Sequence, residues 1–315
     1  MKLDESAEEI ATEKSLPIVA VLAGEGRESW HVGDLERAAT ARGVHCRRVP
    51  FEGLESRVGE AGEFRVMAAG FQLEQADAVI VRTMPKGSLE QIIFRMDVLH
   101  RLEARGMRVV NSPRSLEAAI DKYLCTARLE GAGLSVPPTC VAQRAVDGER
   151  FYDLCDGDVV VKPLFGSEGQ RVLRLRDRGS ACTYFRTLEM RSEVIYLQKF
   201  VPHAGFDLRV FLCGGRVIGA MRRQAADGWK TNIAQGGTAV AVEASSEMED
   251  LALRAAAAVG TEVAGVDLLP DADGRYWVLE VNGVPGWATL SRTCGIDVAG
   301  AVIDYALTPC QETPD

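Results

Sequence analysis

A chain of 315 residues, 47% hydrophobic and 26% charged, has an ordinary soluble composition and is long enough for two or three lobes. Its net charge of −9 excludes a general nucleic-acid binder, which needs a basic face, but leaves small anionic ligands open because local Lys and Arg can serve them. No apolar run reaches membrane-span length, which argues against a membrane partner.

Residues 1–15 are polar and acidic and read as a flexible tail, with neither a signal nor a transit pattern. Residues 17–23 form an apolar strand-like run, followed by Gly24-Glu25-Gly26. The third glycine of a dinucleotide fingerprint is absent, so a plain βα turn is the better reading. Residues 76–81 are a second strand candidate. A helix follows, with Ser88 and Gln91 as a capping box and an apolar stripe of Leu89, Ile92, Ile93, Met96, Leu99 and Leu102. Gly106 closes it, and residues 107–110 resume a strand. Strands alternating with helices imply a parallel α/β domain over residues 16–111. Asn111-Ser112-Pro113 opens a helical stretch through Gly131, and Pro137-Pro138-Thr139 marks a linker or strand entry. Strands then come in succession at 159–162, 171–175, 194–200, 207–212 and 216–221. A helix follows at about 247–259, with Ser246 and Glu249 as its capping box. The layout is α/β first and α+β after.

Eight cysteines at irregular spacing form no C-x-x-C pair, which suits a reduced, cytoplasmic chain. Four histidines lack zinc-ligand spacing.

Chemistry concentrates in the second half. Residues 263–269 and the run ending Glu280-Val281-Asn282 flank the turn formers Asp271-Ala272-Asp273-Gly274. Strand alternation puts Glu280 and Asn282 on one face. If four residues close the hairpin, Gly265 lies opposite Glu280 and Asp267 diagonal to it. Three hard oxygen donors would then converge, a set suited to Mg²⁺ bound with ligand phosphates. The competing reading is an exposed hairpin with polar residues on its solvent side. Val159-Val160-Val161-Lys162 is a buried-looking strand that leads into a loop holding Gly166, Ser167 and Gly169. This is not a Walker A loop. It reads as a strand–loop–strand flap over a triphosphate, or as a plain glycine hairpin. Arg222-Arg223 ends a strand and Lys230-Thr231-Asn232 follows, as an anion clamp requires, although paired arginines are often merely solvated.

Taken in order, Val-Val-Val-Lys-Pro with its glycine loop, Gln-Lys-Phe-Val, Asp-Leu-Arg-Val, Arg-Arg, Lys-Thr-Asn, Ala-Gly-Val-Asp and Glu-Val-Asn-Gly-Val-Pro-Gly resemble the ATP-grasp ligases, and most closely the RimK-type glutamate ligases. Asn111-Ser112-Pro113 with Asp121-Lys122 is similar to that family's entry to its central domain. The similarity covers residues 77–307. It implies an ATP-grasp fold with a preceding α/β domain (16–111), a central lobe with the flap (112–198) and a C-terminal lobe with a metal site (199–315). It implies that Lys122 and Lys162 contact ATP phosphates and that Gly166, Ser167 and Gly169 cover them. Lys199 and Phe200 would present backbone groups to adenine, and Asp207 would lie near the ribose. Arg222, with Arg209 and Lys230, Thr231 and Asn232, would hold the transferred phosphate. Asp267, Glu280 and Asn282 would bind two Mg²⁺ or Mn²⁺ ions. Two positions depart from the family pattern: position 199 is usually acidic there, and a glycine often stands where Arg171 is found.

The implied reaction activates a carboxylate as an acyl-phosphate, which an amine then attacks. For RimK-type enzymes the amine is L-glutamate. The stretches Val81-Arg82-Thr83-Met84-Pro85 and Asn282-Gly283-Val284-Pro285-Gly286-Trp287 resemble the branch that extends pterin or furan coenzymes. Trp287 is read either as a platform that stacks on a substrate ring or as a packing residue. The alternatives are a ligase acting on a peptide, a protein C-terminus or an amino-group carrier, and an ATP-binding regulator without turnover. A nicotinamide dehydrogenase based on Gly24-x-Gly26 is the weakest reading. Relatives of this kind often associate, which admits a homo-oligomer.

Overall fold

The computed structural model describes residues 16–25, 29–59, 65–166, 171–226, 228–231 and 236–309. Ser167, Gly169 and Asn232 of the expected site, with the tail and Gly26, lie outside the described residues.

The N-terminal part is built on a parallel sheet. Its strands are β1 (Ile18–Ala23), β2 (His45–Pro50), β6 (Ala78–Val81) and β7 (Arg108–Val110), in the order β2-β1-β6-β7. β1 and β6 are apolar almost throughout because helices cover both faces of the sheet. Helix α1 (Trp30–Thr40) packs on one face, and α2 (Leu89–Ala104) on the other. The Ser88–Gln91 capping box forms as expected. Only the second half of the α2 stripe is buried, while Leu89 and Ile93 face outward. Between β2 and β6 lies a small antiparallel sheet of β3 (Leu54–Arg57), β4 (Arg65–Ala68) and β5 (Phe71–Gln72), which the sequence pattern did not reveal.

Two helices, α3 (Pro113–Ile120) and α4 (Lys122–Gly131), replace the single expected stretch. The break falls at Asp121, whose Oδ1 accepts the N–H groups of Tyr123 and Leu124 and so caps α4. An antiparallel lobe follows, of β8 (Thr139–Ala142), β9 (Val159–Lys162), β10 (Leu173–Leu175) and β11 (Ile195–Lys199), ordered β10-β9-β11-β8. Its helices α5 (Ala145–Leu154) and α6 (Arg178–Met190) share one core with these strands.

The last lobe is a five-stranded antiparallel sheet. It holds β12 (Phe206–Cys213), β13 (Arg216–Gln224), β14 (Thr238–Val242), β15 (Val263–Pro270) and β16 (Tyr276–Asn282), ordered β14-β13-β12-β15-β16. Helix α7 (Ser246–Val259) covers one face, capped by Ser245 rather than Ser246. Helices α8 (Ala288–Cys294) and α9 (Val298–Ala306) complete the chain, and α9 packs against α1. Residues of α4 share the core of α7, β12 and β15, while β12, β13, α8 and α9 contribute to the core of the N-terminal sheet. The small lobe proper runs from β8 to β11.

Candidate active site

One cavity of about 710 Å³ lies where the three parts meet. Seven Lys and Arg side chains and three carboxylates line it. That surplus of four cations, inside a chain of net charge −9, is a local field suited to a polyanion.

The floor is a cross-strand row. Antiparallel pairing sets Met221 opposite Arg209, Arg209 opposite Asp267, and Asp267 opposite Glu280. Arg209 donates to both Asp267 oxygens, Nε to Oδ1 and Nη2 to Oδ2, each at 2.7 Å. Arg223 grips both Asp207 oxygens at 2.7 and 2.6 Å, and its Nη2 reaches Asp267 Oδ2 at 2.8 Å. Thr231 Oγ1 donates to Asp207 Oδ2 at 2.6 Å. Asp207, Arg223 and Asp267 are all buried. Burial opposes ionisation of Asp267, but Arg209 and Arg223 together hold its carboxyl below the usual range. The result is a charge-balanced network of two acids and two guanidiniums.

The expected hairpin forms with a different register. Asp267, not Gly265, faces Glu280, and Gly265 pairs with Asn282. The cause is a bulge: the register shifts between Asp267 and Leu268, leaving Leu279 as the extra residue. Leu279 and Glu280 both border the cavity as a consequence. Gly265 still makes room, but for Pro285 and Arg209, since a Cβ there would sit 3.2 Å from Pro285.

The roof carries the lysines. Lys162 ends β9, and its Nζ donates to Gln198 Oε1 at 2.6 Å. Gln198 is itself fixed by donating its amide to Tyr196 Oη at 3.0 Å and Thr139 Oγ1 at 3.1 Å. Desolvation lowers the Lys162 pKa to about 8. Lys122, on α4, crosses to the flap and donates to Gly166 O at 2.7 Å; burial lowers its pKa as well. Neither lysine has a carboxylate within ion-pair distance among the described residues. Glu280 accepts no hydrogen bond among them either, and is felt electrostatically by both lysines.

Three expectations change, for Arg222, Asp207 and the Lys199–Phe200 backbone, and the open reading of Trp287 closes. Arg222 points away from the cavity, lies over the Phe206 ring at 3.8 Å and donates to Gln224; its neighbour Arg223 is the one that faces inward. Asp207 is committed to Arg223 and Thr231, which leaves it little capacity for a ribose hydroxyl. The N–H groups of Lys199 and Phe200 are already donated, to Pro138 O and Asp158 O, so only their carbonyls can address adenine. Lys199 Nζ pairs with Asp156. Trp287 is fully buried, with Arg82 over its ring at 4.2 Å and His31 and Phe211 against its edges, which rules out stacking on a substrate and makes it a packing residue. Arg171 has φ of +58°, the left-handed region where a glycine is at ease. The residues missed from the sequence are Arg223 and Gln198. Gln198 carried a signal, a polar side chain in an otherwise apolar strand; Arg223 carried none beyond its place beside Arg222.

Among the described residues, no group of three or more His, Cys, Asp or Glu side chains could hold a metal. The carboxylates of Asp267 and Glu280 and the amide of Asn282 do border the cavity. This donor chemistry fits Mg²⁺ completed by phosphate oxygens. Glu280 is the freer carboxylate, because guanidiniums already meet both Asp267 oxygens.

A cleft between a four-stranded antiparallel lobe and a larger sheet, with lysines above and carboxylates below, defines an ATP-grasp enzyme. Residues 119–306 match the model of the RimK-like ATP-grasp domain, and the chain belongs to that family of C–N-bond-forming ligases. It is 32% identical over 310 residues to the tetrahydromethanopterin:alpha-L-glutamate ligase of Methanosarcina acetivorans, covering 88% of this chain and 95% of that one. It is 34% identical over 238 residues to a probable alpha-L-glutamate ligase of Mannheimia succiniciproducens, covering 75% and 78%. Among solved structures it resembles the ATP-grasp ligase PsnB complexed with a minimal precursor, Mg and ADP, with a TM-score of 0.72, 25% identity and coverage of 92% and 97%.

Proposed function

We propose that this ligase adds L-glutamate to a carboxylate of a reduced-pterin coenzyme, with ATP consumed to ADP and phosphate. The observation that carries the reading is the span of the similarity to the Methanosarcina enzyme. It runs through the N-terminal domain as well as the ATP-grasp lobes. That domain supplies part of the cavity wall through Arg82, Thr83 and Met84.

In this reading Lys162 and Lys122 receive the phosphates from above. Both are desolvated cations without carboxylate partners among the described residues, so an incoming polyanion meets them at little cost. Arg209 and Arg223, held planar and oriented by Asp267 and Asp207, address the phosphoryl group in transfer. Glu280, with Asp267 and Asn282, would hold one or two Mg²⁺ ions. Bound there, the metal would neutralise phosphate charge. The acceptor carboxylate takes the terminal phosphoryl group and becomes an acyl-phosphate. The glutamate amine attacks its carbonyl carbon, phosphate departs and the amine loses a proton. The reaction needs water kept from the acyl-phosphate, which water otherwise hydrolyses.

A second reading, a peptide acceptor, draws on the likeness to PsnB with its precursor. Phosphate release with L-glutamate and either tetrahydromethanopterin or a panel of peptides separates the two. The proposal expects release with the pterin and a product heavier by one glutamyl residue. Release only with peptides would replace it with the second reading.

A further inference from the structure

Arg82 lies one residue beyond the C-terminal end of β6. β6 and β1 are neighbours at the centre of the parallel sheet; β2 extends it on one side and β7 on the other. The strand order therefore reverses between β1 and β6. The crevice outside the carboxyl ends of strands at such a point is where open α/β sheets bind ligands.

The side chain there is unusual. Arg82 is 6% exposed, and its Nε is buried without a hydrogen-bond partner. No carboxylate lies within ion-pair distance of it among the described residues. Its guanidinium rests on the Trp287 ring at 4.2 Å, which fixes the plane but neutralises nothing. Neighbouring groups are otherwise engaged. Asp34 takes the Trp287 indole N–H at 2.9 Å and pairs with Arg37 at 2.8 Å. His31 Nε2 accepts the N–H of Trp287 at 3.0 Å, and burial holds that imidazole neutral. A buried guanidinium with unused donors is costly unless something meets it. Arg82 borders the same cavity as Lys162 and Glu280.

We infer that Arg82, braced on Trp287, is the anion subsite of the substrate end of this cavity and binds a non-reacting carboxylate of one of the two co-substrates. This rests on the ligase reading above and extends it to a residue outside the nucleotide site. The carboxylate belongs either to the incoming amino acid or to the acceptor tail.

The test uses the full-length protein saturated with Mg²⁺ and a non-hydrolysable ATP analogue. Binding of L-glutamate and of glutarate, which lacks an amine, is measured by ligand-observed NMR for wild type, Arg82→Met and Arg82→Lys. The expected result is that at least one of the two binds wild type and weakens about tenfold or more in Arg82→Met, with partial recovery in Arg82→Lys. Affinity for the nucleotide analogue stays within about twofold. Loss with L-glutamate alone assigns the amino-acid carboxylate, and loss that includes glutarate assigns the acceptor tail. The inference is overturned if neither carboxylate binds, if both bind Arg82→Met as they bind wild type, or if the nucleotide is lost with them. Should Arg82→Met fail to fold, Arg82→Lys alone decides, by a smaller loss of the same ligand or by none. Failure of the ligase reading looks different: wild type then releases no phosphate with any amine and carboxylate, whatever Arg82 does.

Discussion

Lys162 sets the balance between stability and binding at the scale of single residues. Its pKa of about 8 lies below the ordinary lysine value because burial disfavours the cation. At neutral pH the charged form therefore costs the nucleotide-free protein about 2 kcal/mol, allowing for the open side of the cavity. Lys162→Met is expected to raise the melting temperature of the nucleotide-free protein while weakening ATP about a hundredfold. Calorimetry and thermal melts on the same samples check both halves. A folded-state pKa below the unfolded one means stability gained as pH rises from about 8 toward the unfolded lysine value. Nucleotide affinity moves the other way and falls above about pH 8, since the phosphates need the cation. An ATP affinity flat from pH 7 to roughly 9.5 would contradict this role. Arg223 and Arg222 make a second residue-scale contrast. Arg223→Ala should abolish turnover, whereas Arg222→Ala should keep it within a few-fold, as measured by steady-state phosphate release. Strand alternation put Glu280 and Asn282 on one face, and the order of the family's motifs pointed to Lys162, Arg209 and Asp267; all five border the cavity. The choice between two adjacent arginines was not legible, because one residue of register reverses the face. Only pairing with Asp207 across β12 and β13 decides it.

At the scale of elements, the β15–β16 hairpin and the Asn111 clamp do different work. The hairpin presents the proposed metal-binding face, and its bulge turns both Leu279 and Glu280 to the cavity. Glu280→Gln keeps size and shape, so the fold should survive while Mg²⁺-dependent turnover falls by about a thousandfold. Wild-type turnover in a folded Glu280→Gln protein would remove the site. Asn111 is buried and pins β7 to β15 and β16. Its amide donates to Val263 O and Gly283 O at 2.7 and 2.6 Å, and its Oδ1 accepts from the N–H groups of Glu262 and Val263. Asn111→Ala leaves four backbone groups without that partner and should cost about 3 kcal/mol or more in urea unfolding. The sequence marked Asn111 as punctuation and as part of a family motif but not as a clamp, since its partners lie 151 to 172 residues away. Neither could the pattern show the bulge, whose extra residue is an ordinary leucine. Helices α8 and α9 escaped for a related reason: their apolar faces are completed by elements distant in sequence, whereas α5 and α6, also unread, pack on the neighbouring strands β8 to β11.

At the scale of the whole molecule, function follows from three parts sharing one cavity. The α/β-then-α+β order was readable from the switch in hydrophobic period, and the family from the order of its motifs. How the parts share their cores was not, because α9 completes the N-terminal domain and α4 the last lobe. That sharing brings Arg82, Lys162 and Glu280, separated widely in sequence, to the same cavity. The central claim is that this cavity moves a phosphoryl group to a carboxylate before an amide forms. The direct test is isotopic. Tetrahydromethanopterin carrying ¹⁸O in its terminal carboxylates is incubated with ATP, Mg²⁺ and L-glutamate, and the released phosphate is analysed by mass spectrometry. Transfer of one ¹⁸O atom into phosphate for each amide formed, with ADP as the nucleotide product, is the expected result. Amide formation with unlabelled phosphate, or with label in AMP, would contradict the account.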